Sequence, residues 1–382
     1  MQAPVLIISS DDEKDEIIYI AKELLWLIGM EKDLAIHIGE KTLLRISDAV
    51  EIDRDTLLNV FNAMSLKREF EHGKDAHGRF DQANIKWDIK KPKVSELVES
   101  MGQRLDKVDA QSEFKIIFSH DIDWVSGFDP ISLVKSIKSS VSGSRNWIKL
   151  SEVFDQDIFV KNYSEMLSIE KKYGVKTWNF MLSGTNGLGR YSNRYNIKSS
   201  RAKKVIDLIL SSGNFIGLHG SYGASDANTY KEEAELLREV TNQEIISHRN
   251  HYLRFDPINL WSQLSSAGIG YDFSVGFSSN MGFRTGVASS YRPYDFKNKS
   301  ASDITEIPLV FMERNQYLID ERKTLEELKG VLEEVKKYNG CASILFHPES
   351  FVVDTRWLPF YEKVINTVVE MGGDVSGTLP RR

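Results

Sequence analysis

A single cysteine, Cys341, among 382 residues excludes an internal disulfide framework and any cysteine-based zinc cage. A bound metal would therefore take His and carboxylate ligands. No basic block stands out and the formal net charge is −6, which argues against nucleic acid as a main partner, because neutralising phosphates takes clustered Lys and Arg. A neutral or small substrate fits better. Long apolar runs are also missing. The best stretch, Leu24 to Met30, falls far short of the ~20 residues that a membrane span requires. The N-terminus has no positive segment, and its apolar run stops at Ser9, so no signal peptide is read and the expected location is cytoplasmic. There is no Gly-x-Ser-x-Gly elbow to support a serine nucleophile, and no Gly-rich phosphate loop of the Walker or dinucleotide type. Internal repeats and low-complexity tracts are absent, although residues 136–144 are serine-rich and read as a loop or helix end.

What is present is an ordinary soluble composition, 41% hydrophobic and 27% charged, sufficient for a sizeable core in two or three domains or in one large barrel with an appendage. Residues 3–8 read as a strand, and Asp15 to Gly29 carries Ile17, Ile18, Ala21, Leu24, Leu25 and Ile28 at helical spacing. Short strands follow at 34–38 and 42–46, then helices near 54–67 and 94–105, with the polar segment from His72 to Phe80 between them as a loop. These residues form a small α/β unit, with its boundary at residue 108 and a linker over 107–113.

From Phe114 onward, strands and helices alternate with few hairpin signals, the pattern of parallel βα units. Strands are expected at 114–119, 176–182, 215–219, 245–249, 269–273, 304–311 and 343–347, and helices at 161–173, 199–212, 229–240, 257–267, 323–338 and 357–371. Seven strands with intervening helices suggest a closed or nearly closed barrel.

Polar residues collect where these strands end. Phe114 to Phe118 is an apolar strand that runs into His120, Asp121 and Asp123. Carboxylates crowded there repel one another unless a cation or a shared proton compensates. Strand alternation puts Asp121 and Asp123 on one side and His120 on the other, which favours one Asp as ligand and the other as base; helix or turn capping is the plainer alternative. Further on, the strand Phe215–Leu218 ends in His219. Glu244–Ser247 leads to His248, Arg249, His251 and Tyr252, Tyr271 precedes Asp272 and Ser274, and Ser343–Phe346 precedes His347. Five of the eight histidines occupy such positions. Any one of them can be a satisfied core or loop histidine, but their joint placement suits a metal centre. His and Asp are zinc-type ligands. A metal of this kind acidifies water and polarises a carbonyl, a nearby carboxylate takes the remaining proton, and a histidine protonates the departing group. That is the chemistry of an amide or ester hydrolase. Cys341, one residue before the strand of His347, reads as a packed thiol.

With these residues in order, the region from Phe114 to Glu349 resembles the polysaccharide deacetylases of the NodB-homology group, carbohydrate esterase family 4. The resemblance implies a distorted (β/α)7 barrel over residues 109–382, preceded by a small α/β accessory domain over 1–108. It also implies removal of N- or O-acetyl groups from sugars with a divalent metal, usually zinc. By resemblance Asp121 is the base and Asp123 a metal ligand. The second motif, His-Ser/Thr-x-x-His, keeps His219 and Ser221 but has Gly223 where the second histidine belongs. The third, Arg-x-Pro-Tyr, is matched by Arg249 and Tyr252 with His251 in place of proline; Arg249 then orients the base, Tyr252 helps line the oxyanion site, and His251 is available as the third ligand. Asp272, Ser274 and Gly276 match the fourth motif, and Asp272 and Ser274, with Tyr222 and Tyr252, are read as substrate-binding. Leu345-Phe-His347 approximates the fifth and makes His347 the general acid. His77, Arg79 and Phe80 either close over the barrel mouth or form a loop held by local hydrogen bonds. Trp124, Trp178, Tyr222 and Trp357 are either sugar-stacking surfaces or core.

The expected activity is a metal-dependent deacetylation of an N-acetylated sugar or surface polysaccharide precursor, with a carbohydrate as the partner. Two rivals remain: a non-catalytic carbohydrate-binding or scaffold protein on a degenerate barrel, which the missing histidine allows, and cleavage of a different amide by the same kind of metal site.

Overall fold

The computed structural model describes residues 4–10, 13–30, 34–105, 113–125, 137, 138, 155, 157–184, 191 and 193–380. The serine-rich stretch and the expected linker lie outside these residues, apart from Ile137, Lys138 and Glu113.

The first unit is a four-stranded sheet in the order β2-β1-β3-β4, built from β1 (Val5–Ser9), β2 (Ala35–Gly39), β3 (Leu43–Ser47) and β4 (Val50–Asp53). β1 runs parallel to β2 and antiparallel to β3. The strand β4 was not expected; only Val50 and Ile52 of its four residues are apolar and buried, too short an alternation to stand out. Helices Lys14–Leu27 and Arg54–Met64 pack on the sheet. Asp53 caps the second of these by accepting from the Thr56 N–H at 2.8 Å, a bond that typically contributes about 1 kcal/mol. The core of this unit takes in Val287, Tyr291 and Tyr294 from much later in the chain. The Tyr294 ring lies 4.9 Å from that of Tyr19 and 5.0 Å from that of Phe61. Fully buried Glu23 pairs with Arg292 at 2.8 Å. Tyr294 belongs to a two-residue hairpin arm, β10 (Tyr294–Asp295) with β11 (Ser300–Ala301).

The second unit is a ring of parallel strands. β5 (Lys115–Ile122), β6 (Trp178–Leu182), β7 (Phe215–Gly220), β8 (Ser247–Asn250) and β9 (Tyr271–Asp272) pair in sequence, and β14 (Cys341–Leu345) pairs back onto β5. The gap between β9 and β14 is filled by one stretch of chain. Its first part, β12 (Thr305–Glu306), pairs with β9, and its second, β13 (Leu309–Met312), pairs with β14. Ile307 donates its N–H to the Asp272 carbonyl at 2.8 Å and Leu309 to the Val275 carbonyl at 3.0 Å, while the Pro308 carbonyl accepts from the Ser343 N–H at 2.7 Å, so the stretch stays bonded to both neighbours. Seven chain segments thus close a (β/α)7 barrel at the positions where strands were expected.

Helices Ile158–Tyr173, Ser200–Ser211, Ala227–Thr241, Leu260–Ser266, Glu321–Lys337 and Trp357–Glu370 cover the outside. In Glu321–Lys337, the buried residues Thr324, Leu328, Val331, Leu332 and Val335 repeat at helical spacing, and this stripe packs into the barrel's main core. Among the described residues no helix is long and apolar enough to cross a membrane.

Candidate metal and acyl-transfer site

β5 alternates as its sequence requires. Ser119 and Asp121 face into the barrel, followed by Asp123, while His120 faces the helix layer and bonds Glu170 at 2.9 Å. The strands end on one rim, and there Asp123, His219 and His251 bring one ligand atom each within 4.8 Å of one another. His219 Nε2 stands 3.3 Å from Asp123 Oδ1, and His251 Nε2 stands 3.4 Å from Asp123 Oδ2. His219 Nδ1–H donates to the Arg249 carbonyl at 2.9 Å. That fixes the tautomer and leaves the Nε2 lone pair aimed at the carboxylate.

These residues fit a divalent ion. Asp123 Oδ1 and His219 Nε2 are buried without a well-formed hydrogen bond, a costly state for two polar atoms. Their spacing matches the roughly 3.3 Å edge that follows from two ~2.0–2.1 Å bonds on a tetrahedral zinc-type ion. Electrostatics agree. Burial lowers His219, but Asp121 and Asp123 outweigh it and raise its pKa. Burial opposes ionisation of Asp123, yet His251 and His219 hold it well below the usual carboxylate range. The negative field that favours a proton on His219 equally favours a cation in its place. Gly223 is exposed, whereas His251 is buried and is the third member of the cluster.

Asp121 sits beside this cluster, 3.6 Å from His219 Nε2. Its other oxygen accepts from Arg249 Nη1 at 2.9 Å. Arg249 is fully buried; it also donates to Ser119 Oγ at 2.9 Å and to the Phe273 carbonyl at 3.0 Å, and it lies 4.5 Å from the Phe180 ring. Burial alone would raise Asp121, but His219, Arg249 and His347 prevail and hold it below its ordinary value. Across the opening, His347 Nε2 is 3.8 Å from Asp121 Oδ2, while its Nδ1–H donates to Glu313 at 2.7 Å. Burial works against the imidazolium, but Glu313, then Glu349 and Asp121, raise its pKa to about 10. Glu349 itself is pushed up to about 8, by burial and then by Asp123.

Tyr252 and Tyr222 lie at the mouth, with ring centroids 5.5 Å apart, and Tyr252 is 37% exposed. Asp272 and Ser274, expected to touch substrate, do not reach it. Both are fully buried; Ser274 donates to Asp272 at 2.7 Å and accepts from the Asn250 N–H at 3.0 Å, and Asp272 also accepts from His248 Nδ1 at 2.9 Å. Strand alternation turns them to the outer face, where they brace β8. His120 and His248 are likewise outward-facing core histidines. Trp124, Trp178 and Trp357 are buried and act as core. Cys341 is a packed thiol, raised by burial to about 12.

Glu313 is a site residue that the sequence analysis does not single out, although it follows the apolar strand β13 just as His347 follows β14. The segment before the barrel also reaches the mouth. Its hairpin is held by local bonds to Asp75 and is docked on Tyr222 and Tyr252 through His77 and Arg79, so the two alternatives for this loop are not exclusive.

No family model and no curated protein matches this chain. Solved structures similar to it include the putative polysaccharide deacetylase from Mycobacterium smegmatis, at 14% identity over 72% of this chain and 96% of that one, with a TM-score of 0.44. Puue allantoinase is similar at 12% identity over 75% and 92%, TM-score 0.44. The chitin deacetylase from the fungal pathogen Colletotrichum lindemuthianum is similar at 14% over 69% and 84%, TM-score 0.37.

Proposed function

We propose that the protein is a metal-dependent hydrolase that removes acetyl groups from an N-acetylated sugar or a surface polysaccharide precursor. The observation that carries this reading is the convergence of Asp123, His219 and His251 on one point, flanked by the Asp121 carboxylate paired with Arg249 and the His347 imidazole bonded to Glu313. Asp123, His219 and His251 would hold the cation, zinc being the ion this donor set suits. When bound, it would supply Lewis acidity at the acyl oxygen and lower the pKa of water.

The chain's own groups divide the remaining work. Asp121 takes a proton from water as the water oxygen bonds to the acyl carbon. Arg249 keeps Asp121 ionised and aimed by occupying its second oxygen. His347, charged through Glu313, gives its Nε2 proton to the leaving nitrogen as the C–N bond breaks, and so releases an amine and acetate. Tyr252 and Tyr222 border the opening where the acyl group and sugar would lie. The reading is tested by replacing Asp123 or His219 with Ala, which is expected to abolish both zinc retention and acetate release from N-acetylglucosamine oligomers. Full activity in a metal-free preparation would refute it, and metal-dependent turnover of another amide without acetate release would replace the substrate class.

A further inference from the structure

His251 is aimed at the ion site by a turn that is unfavourable in itself. Tyr252 and Leu253 directly after it both have positive φ, 63° and 52°, a conformation that costs a side-chain-bearing residue free energy and persists only where its surroundings enforce it. Leu253 packs with Leu309, Met312 and Leu345 of the barrel, and further enforcing contacts come from the unit before it. Arg79 Nη1 donates to the Tyr252 carbonyl at 2.7 Å. The His77 ring lies 4.7 Å from the Tyr252 ring, and Arg254, on the far side of the turn, donates back to the His77 carbonyl at 3.0 Å.

The hairpin that carries these groups is itself braced. Asp75 accepts from the His77 N–H at 2.9 Å, from the Arg79 N–H at 3.0 Å and from Arg79 Nε at 2.8 Å, and Lys74 bridges to Phe80. The guanidinium is therefore held rigidly between Asp75 and the turn, with only 15% of its side chain exposed. A contact meant only to dock two units would not need to grip the carbonyl of the residue next to a ligand.

We propose that Arg79, set by Asp75, is a positioning residue for the metal centre: it locks the His251–Leu253 turn so that the imidazole meets Asp123 and His219. The proposal rests on the ion-site reading above. It makes the first unit part of the active site and predicts that the barrel alone binds the cation poorly.

The test is Zn²⁺ affinity of the full-length chain, measured by competition with a chromophoric chelator, for the native protein and for Asp123→Ala, His251→Ala, Arg79→Ala, Arg79→Lys and the Arg79→Ala/His251→Ala pair. Losing such a supporting contact typically weakens metal affinity by about 10–100-fold. The expected result is a loss of that order in Arg79→Ala, partial recovery in Arg79→Lys, and no further loss when Arg79→Ala is added to His251→Ala, because the arginine acts through that histidine. Asp75→Ala, which frees the guanidinium without removing it, must weaken Zn²⁺ in the same direction and covers the case in which Arg79→Ala does not fold. Native affinity in Arg79→Ala, with binding lost in Asp123→Ala, overturns the clamp and leaves the ion site standing. An Arg79→Ala loss that persists in the absence of His251 also overturns the clamp. Equal Zn²⁺ binding by native protein and Asp123→Ala overturns both.

Discussion

His347 owes its raised pKa first to Glu313. A histidine ordinarily titrates near ~6.5, whereas this one is raised to about 10 against its own burial. The imidazolium therefore survives through neutral pH, and catalysis that needs it falls only as pH rises through about 10. Glu313→Gln keeps the shape and removes the charge, so the alkaline limb of the kcat/KM profile is expected to move to lower pH. An unmoved limb would show that His347 is not the acid. The same sign governs stability: the contribution of the raised histidine is complete below its unfolded pKa and is lost as pH climbs through the folded one, and Glu313→Gln should flatten that dependence. His347→Ala, read by steady-state kinetics, is expected to cost about 10²–10⁴-fold in kcat, the usual range for a lost general acid. Arg249 is a different case, because Asp121 depends on it for charge compensation inside the barrel. Arg249→Ala leaves a buried carboxylate without its partner and is expected to destabilise the fold by about 3–5 kcal/mol in denaturant unfolding. At this scale, the residues legible in the sequence were those at the end of an apolar run: Asp121, Asp123, His219 and His347 all share that signal. What the signal does not carry is which face a side chain takes. Asp272 and Ser274 carry it equally and point outward, since a short strand such as Tyr271–Asp272 gives too few residues to fix the phase of its alternation.

Among the elements, β7 shows how closely the strands' outer faces are packed. A Cβ at Gly220 would meet His248 Nε2 at 2.5 Å and Asn250 Oδ1 at 2.9 Å. Gly220→Ala must therefore displace the side chains of His248 and Asn250 on β8, the strand that carries Arg249 and leads to His251. A cost of about 1–3 kcal/mol is expected from overpacking, together with weakened metal retention, and a variant with native stability and native metal content would contradict this coupling. The elements themselves were largely legible, because helices such as Glu321–Lys337 show a clean apolar stripe and the central strands are short β-rich runs between turn signals. The exception is the stretch Thr305–Met312, expected as one strand. It serves two neighbours in succession, and Ile307 and Leu309 form the bonds that close the ring. Ring closure is a contact between distant segments, and local periodicity cannot report it.

For the molecule as a whole, the core of the first unit is completed by residues from far along the chain, Val287, Tyr291 and Tyr294. Tyr294 stands between Tyr19 and Phe61, so Tyr294→Ala removes an aromatic side chain from the core of the first unit and is expected to cost about 3–5 kcal/mol. A thermal scan would show this as a large fall in melting temperature, and an unchanged scan would contradict the shared core. The role of the first unit at the barrel mouth was legible only as two alternatives for the 72–80 loop, because its brace at Asp75 is local while its contacts with Tyr222 and Tyr252 are not.

The central claim is that Asp123, His219 and His251 share one divalent cation. The most direct measurement is elemental analysis of the purified full-length chain after exhaustive dialysis and reloading with zinc, alongside His219→Ala and His251→Ala. The account predicts one zinc per chain in the native protein and loss of that zinc in both variants. A native chain that retains no zinc, or variants that retain as much as it does, would contradict the account.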